Sequence, residues 1–197
     1  MFPIFLKVES RRCLVVGAGT VAAGKISGLL AERASVRVVA PEAVAQIKEW
    51  ASAGALEFEQ RGFESKDLDG VFLAIVATSS PEVNTRVFQE AQAKKVLCNA
   101  VDDPANCDFY YGAIVNRGDL QIAISTNGHS PALAQRIRQE LEQQFGPAYE
   151  EWVAELGKQR KELFAANLDP EVRKRILHEL ASGPSFDAYE TTEGGSN

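Results

Sequence analysis

The feature that most constrains this chain is the turn Gly17-Ala18-Gly19-Thr20-Val21-Ala22, which follows the short apolar run Cys13-Leu14-Val15-Val16 directly. A GxGxxA turn between a strand and a helix has a physical purpose: the first glycine bends sharply and the second lets backbone approach a phosphate. The small third residue lets the helix close on the strand. Glycines in this pattern are weak on their own, but the strand before them and the helical pattern after them supply the required context. Gly17, Ala18, Gly19, Thr20, Val21 and Ala22 are therefore read as the cradle of a dinucleotide pyrophosphate.

The pattern around the turn repeats. Val21, Ile26, Leu29 and Leu30 fall near one helical face, and Val36 to Val39 reads as a second buried strand. Pro41 then stands at a helix start, with Val44, Ile47 and Trp50 as its inward stripe. Leu56 to Glu59 alternates like a half-exposed strand, whereas Val71 to Val76 is apolar throughout, as a central parallel strand requires. Pro81 opens a helix carrying Val83, Val87, Phe88 and Ala91, and Val96-Leu97-Cys98 begins another strand. Strands alternating with helices from about Arg11 to Cys98 predict an α/β fold, a Rossmann-type doubly wound parallel sheet.

Beyond Asp102-Asp103-Pro104 the pattern changes to a hairpin, Tyr110 to Val115 and Leu120 to Ser125 about the turn at Asn116 to Asp119. Ser130-Pro131 starts a helix with Leu133, Ile137, Leu141 and Phe145 at fourfold spacing, and Gly146-Pro147 ends it. Further helices carry Trp152, Val153, Leu156 and Leu163, then Val172, Ile176 and Leu180 after the Asp169-Pro170 cap. The expected organisation is a nucleotide-binding Rossmann domain over 1–108, a hairpin-plus-helix region over 109–145, a helical C-terminal region over 146–181, and a disordered tail over 182–197.

A net charge of -6 argues against binding nucleic acid through a basic field. Cys13, Cys98 and Cys107 have no CxxC spacing, so neither a disulfide framework nor a structural zinc site is supported, and a reducing cytoplasm fits. The run Phe2 to Leu6 is too short for a signal or membrane segment, and no metal cage is expected from His129 and His178 alone. The end of the second strand, where an acid commonly holds ribose hydroxyls, reads Val39-Ala40-Pro41-Glu42. Ala40 lacks the group, leaving Glu42 or the backbone of Ala40 and Pro41, with Arg37 the nearby basic residue for a 2'-phosphate; NAD is favoured over NADP. Thr78, Ser79 and Asn84 follow the central strand, where they either bond the cofactor or, for Ser79 and Ser80, cap the next helix.

Several segments in order carry a resemblance: Pro3-Ile4-Phe5-Leu6, the glycine turn through Lys25, Ala77 to Ser80 with Val83-Asn84, Cys98-Asn99-Ala100-Val101-Asp102, and Ser125 to Ala134. The set resembles the precorrin-2 dehydrogenase family, the N-terminal module of siroheme synthases, from the first residues to about Phe145; the C-terminal helices match only in general character. The resemblance implies NAD-dependent oxidation of precorrin-2 to sirohydrochlorin by a homodimer joined through the hairpin-and-helix region. Some relatives also insert ferrous iron.

The family's acid falls on Asp102, as general base, with Asp103 as the neighbour for comparison. From the residues alone Asp102 reads as a turn residue before Asp103-Pro104; it is the resemblance that assigns it the acid's role. Asn99, Arg117, Thr126, Asn127, Gly128, His129 and Ser130 are the substrate-side candidates, with Arg136 and Arg138 as further donors on different helical faces. Thr126 stands where some relatives have a modifiable serine, and His129 departs from the usual residue. A module that senses a dinucleotide without chemistry is the competing reading.

Overall fold

The structure, a computed structural model, describes residues 1–193. It divides into two units, Met1–Tyr110 and a second from Tyr111 onward. Of the hairpin-plus-helix region expected over 109–145, residues 109–110 lie in the first unit and the rest in the second, together with the helical region expected over 146–181.

The first unit is built on five parallel strands: β1 (Arg12–Val16), β2 (Ser35–Val39), β3 (Glu57–Glu59), β4 (Leu73–Val76) and β5 (Leu97–Ala100), in the order β3-β2-β1-β4-β5. Helices α1 (Thr20–Ala31), α2 (Ala45–Ser52) and α3 (Pro81–Ala93) connect them. Period-two alternation sorts each strand's side chains to two faces. Cys13 and Val15 join Ala22, Ile26, Leu29 and Ile47 on the α1/α2 side, while Leu14 and Val16 join Val76, Val87 and Ala91 on the α3 side. Both faces are covered, which explains why β1 and β4 read as unbroken apolar runs.

Two helical phases differ from the sequence reading. Val21 is exposed and Ala22 takes the buried place, because the helix begins at Thr20 and its first turn projects past the sheet edge. Pro41 does not open α2; it lies in the bend before the helix, whose first residue is Ala45, since the Val44 N–H is drawn to Ala18 O at 3.0 Å.

Beside β3, a charged knot closes the loop that leads to β4. Arg61 Nη1 and Nη2 donate to the two oxygens of buried Asp67 at 2.8 and 2.6 Å, and Glu64 N donates to Asp67 Oδ2 at 2.8 Å. Burial alone would raise the Asp67 pKa, but the guanidinium and the backbone N–H outweigh it and hold the carboxyl below its ordinary value.

In the second unit, β6 (Ala113–Arg117) and β7 (Leu120–Ile124) pair antiparallel, with Gly118 at φ +58° in the connection. Helices α4 (Pro131–Gln144), α5 (Ala148–Ala165), α6 (Pro170–Leu180) and α7 (Gly183–Glu193) follow. On α4 the buried position is Ala134, and Leu133, expected inward, is exposed. The expected disordered tail is helical over Gly183–Glu193; residues 194–197 of that expectation lie outside the described residues. The Gly, Ser, Thr and Glu content favours disorder, but Phe186 anchors the segment: its ring stacks on Tyr149 at 4.2 Å and sits 4.9 Å from Trp152.

Because the folded pKa of Asp67 is depressed, the stability it contributes is present above the unfolded carboxylate value near 4 and is lost as pH falls through the folded value. Asp67→Asn is expected to lower the thermal midpoint by roughly 5 °C at pH 7, a gap that narrows as pH drops below about 4. Melting curves of the two proteins across pH 3–7 check it.

Candidate functional site

Strand order reverses at β1, whose neighbours are β2 and β4, so a crevice opens at the carboxyl ends of the strands there. Backbone hydrogen bonds fix this edge: Gly17 N to Val39 O at 3.0 Å, Ala77 N to Val16 O at 2.8 Å, and Val101 N to Val76 O at 2.8 Å. Gly17 sits at φ +103°, and a Cβ there would stand 2.3 Å from Ala77 O. Only glycine satisfies both conditions. Gly19 presents the opposite case: an added Cβ would meet nothing within 4 Å. It is the N-cap of α1 and offers no side-chain acceptor to the helix's first amides. An open space over a glycine and a ring of uncapped N–H groups at a helix start form a fitting seat for a diphosphate. Thr20 and Val21, exposed on this first turn, border it.

The other cofactor candidates divide by what holds them. Ala40 is buried, its N–H bound to Glu59 O at 3.3 Å, and Pro41 and Glu42 are exposed beyond it. Arg37 Nε bonds Glu57 Oε2 at 3.1 Å and stands 3.5 Å from Glu59 Oε1, so its charge is committed to carboxylates rather than held for a 2'-phosphate. Thr78 Oγ1 lies 2.7 Å from Asn84 Oδ1, and Ser80 N donates to that hydroxyl at 3.1 Å. Asn84 is buried and also donates Nδ2 to Thr78 O at 3.4 Å; the pair locks the loop after β4. Ser80 caps α3 by accepting from Val83 N at 3.3 Å, which leaves exposed Ser79 out of the cap.

Asp102 follows β5 on the same sheet edge. It adopts φ +61°, a left-handed conformation that costs a non-glycine residue on the order of 1 kcal/mol, although Asp and Asn tolerate it best. Its side chain is exposed and accepts no hydrogen bond among the described residues, whereas Asp103 Oδ2 accepts from Asn106 Nδ2 at 2.6 Å. The structure thus separates two acids that are adjacent in sequence. Lys25, on the second turn of α1, ends the glycine-turn segment that carries the resemblance, which implies no role for it. Burial pushes its pKa down while the charge of Asp102 acts in the opposite sense, so the two groups share one local field. Its place on the α1 face shared with Ala22, Ile26 and Leu29 was the signal available in the sequence.

Two substrate candidates are committed elsewhere. Asn99 is buried and donates Nδ2 to Phe109 O at 2.7 Å. Arg117 donates to Phe145 O, Asn116 O and Glu142 O at 2.9, 2.8 and 3.1 Å, pinning its hairpin to the end of α4. Arg138 bonds Gln135 and Glu142, and exposed Arg136 pairs with Glu140 at 3.3 Å. Within the second unit the turn before α4 is compact: Thr126 Oγ1 accepts from Ser130 N at 3.0 Å, Asn127 and Gly128 take φ +54° and +80°, and Ser130 Oγ caps Leu133 N at 3.3 Å. His129 is exposed there. Among the described residues no three His, Cys, Asp or Glu side chains converge as a metal site, and no helix is long and apolar enough to cross a membrane.

Residues 4–113 match a family described as "Putative NAD(P)-binding", and residues 117–144 match one described as "Sirohaem biosynthesis protein central". The solved structure titled "SirC, precorrin-2 dehydrogenase" superposes with a TM-score of 0.80 and 30% identity, covering 98% of both chains. The chain belongs to the precorrin-2 dehydrogenase family. Siroheme synthases of Pseudomonas entomophila and Chromobacterium violaceum are each 38% identical over 98% and 95% of this chain, and that of Nitrosococcus oceani is 37% identical over 88%. The chain spans only 35–42% of those three relatives' own lengths.

The two glycines predict opposite outcomes. Gly17→Ala destabilises the fold by about 2 kcal/mol or more, because neither φ nor the Ala77 carbonyl can accommodate a methyl. Gly19→Val keeps stability within about 1 kcal/mol and lowers NAD affinity about tenfold or more by filling the seat. Thermal melts paired with calorimetric NAD titration separate them.

Proposed function

We propose that this chain oxidises precorrin-2 to sirohydrochlorin with NAD. The observation that carries the reading is Asp102: a carboxylate without a hydrogen-bond partner among the described residues, held left-handed on the sheet edge that also presents the Gly17–Ala22 turn. The end-to-end correspondence with a precorrin-2 dehydrogenase structure supports it.

In this reading Gly17 and Ala18 shape the turn, Gly19 leaves room, and the first amides of α1 hold the diphosphate. Ala40 and Pro41 border the adenosine side, and the Thr78–Asn84 pair, with Ser79 beside it, sets the loop bordering the nicotinamide side. Bound there, NAD supplies a hydride acceptor. Oxidation removes two hydrogens from the macrocycle, one leaving as hydride and the other as a proton; Asp102 takes the proton as general base. Lys25 places positive charge in the field of Asp102, which suits a substrate rich in acetate and propionate groups.

In the turn fixed by Thr126 and Ser130, the Asn127 and His129 N–H groups already serve Ser125 Oγ and Thr126 O at 3.1 and 3.0 Å, so the Gly128 N–H is the amide proposed to meet an anionic group. Asn99 and Arg117 act by positioning backbone, since their donors already serve carbonyls. The exposed apolar positions Ile114 and Ala123, opposite each other on β6 and β7, are the proposed centre of a homodimer contact, and the cytoplasm is the proposed compartment. The sensor reading has no use for an acid without a hydrogen-bond partner at this edge.

Asp102→Asn preserves a residue tolerant of φ +61° while removing the base. It is expected to lower kcat by about 100-fold or more with the NAD dissociation constant unchanged, and Asp103→Asn is expected to lose less. NADH absorbance from precorrin-2 plus NAD reads the outcome; wild-type turnover by the Asp102 variant would exclude the assignment. The same proteins given sirohydrochlorin and ferrous iron report the second activity implied by the sequence resemblance.

A further inference from the structure

After β5 the chain runs through Val101-Asp102, a short 3₁₀ turn at Pro104–Asn106, and back to Cys107, which bridges Asn99 in antiparallel fashion. The loop thereby closes on itself around one thiol. Cys107 Sγ lies 3.1 Å from Ala100 O and 3.2 Å from Asp103 O, so a single S–H is shared between the two carbonyls that bracket Val101-Asp102. The same sulfur accepts from Asn99 Nδ2 at 3.3 Å, and that amide also donates to Phe109 O at 2.7 Å. Past the thiol, Asp108 closes the return strand: its Oδ2 accepts from Cys98 N at 2.9 Å, its N–H donates to Cys98 O at 2.8 Å, and Gln92 Nε2 bonds both carboxylate oxygens.

A left-handed non-glycine residue persists only where its surroundings hold it there. Around Asp102 those surroundings are the carbonyls on either side, together with the Asp103 N–H on Ala100 O at 3.2 Å. We infer that Cys107 is a positioning residue for the reaction proposed above, a neutral thiol latch that fixes Asp102 in its outward, left-handed pose. This deepens that reading and rests on it. Burial pushes the thiol pKa up; the contact with the Ala100 backbone acts in the opposite sense, but burial together with the charges of Asp103 and Asp108 outweighs it, so the group keeps its proton. In the sequence Cys107 is only a lone cysteine without partner spacing, which signals neither a metal nor a disulfide. Its significance appears only once Ala100 and Asp103 are seen on either side of the sulfur.

The test compares the full chain with Cys107→Val, Cys107→Ser and Asp102→Asn, using precorrin-2 and NAD. Valine fills the space without a donor, and serine restores an O–H. The latch predicts that C107V loses about tenfold or more in kcat at an unchanged NAD dissociation constant, and that C107S recovers to within about threefold of the parent. A C107V protein with parental kcat, equal impairment of C107V and C107S, or a kcat loss that tracks loss of NAD affinity would each overturn it. If valine prevents folding, Cys107→Ala makes the same comparison without a branched side chain. An inactive D102N beside a fully active C107V removes the latch and leaves the base in place. An active D102N removes the base itself, and the latch with it.

Discussion

The contact between Gly17 and the chain just after β4 is the constraint on which the rest of the first unit depends. With no side chain at φ +103°, Gly17 lets β1 and β4 stay in register to their last residues, Val16 beside Val76, while the backbone turns away in the tightest available space. The Gly17 N–H on Val39 O and the Ala77 N–H on Val16 O tie three strand ends into one rim. Helix α1 can then start immediately, so its first amides emerge at the crevice where strand order reverses. Any wider turn would carry those amides away from the rim.

The same rim carries the proposed chemistry on its β5 side. There the structure spends backbone strain and a set of short internal bonds to distinguish two adjacent acids, turning Asp103 inward to Asn106 and leaving Asp102 outward. Lys25 on α1 shares the field of Asp102, so the helix that provides the amides also brings a cation to the acid. A single sheet edge, within one unit, thus presents what the proposed hydride transfer with proton loss calls for: uncapped helix amides, an exposed carboxylate and a positive charge.

Much of this was legible in the sequence because it rests on local pattern. Unbroken apolar runs gave β1 and β4, the GxGxxA spacing gave the turn, and Ser130-Pro131 and Asp169-Pro170 gave helix starts. What escaped depends on tertiary contacts. Pro41 resembles a helix start until the Val44 N–H is claimed by Ala18; Arg117 resembles an anion ligand until three carbonyls are found around it. The tail reads as polar filler until Phe186 meets Tyr149 and Trp152. Neither Cys107 nor Lys25 has a role assigned by a motif, and the roles proposed for them rest on what the fold brings beside them.

The central claim is that backbone N–H groups at the start of α1 bind the diphosphate of the dinucleotide. Amide chemical shifts followed during a titration of the full chain with NAD test it most directly. The account predicts that the largest saturable changes fall on Gly19, Thr20, Val21 and Ala22, with the amides of the hairpin Ala113–Ile124 unmoved. Saturable binding that leaves the α1 amides unshifted would contradict it.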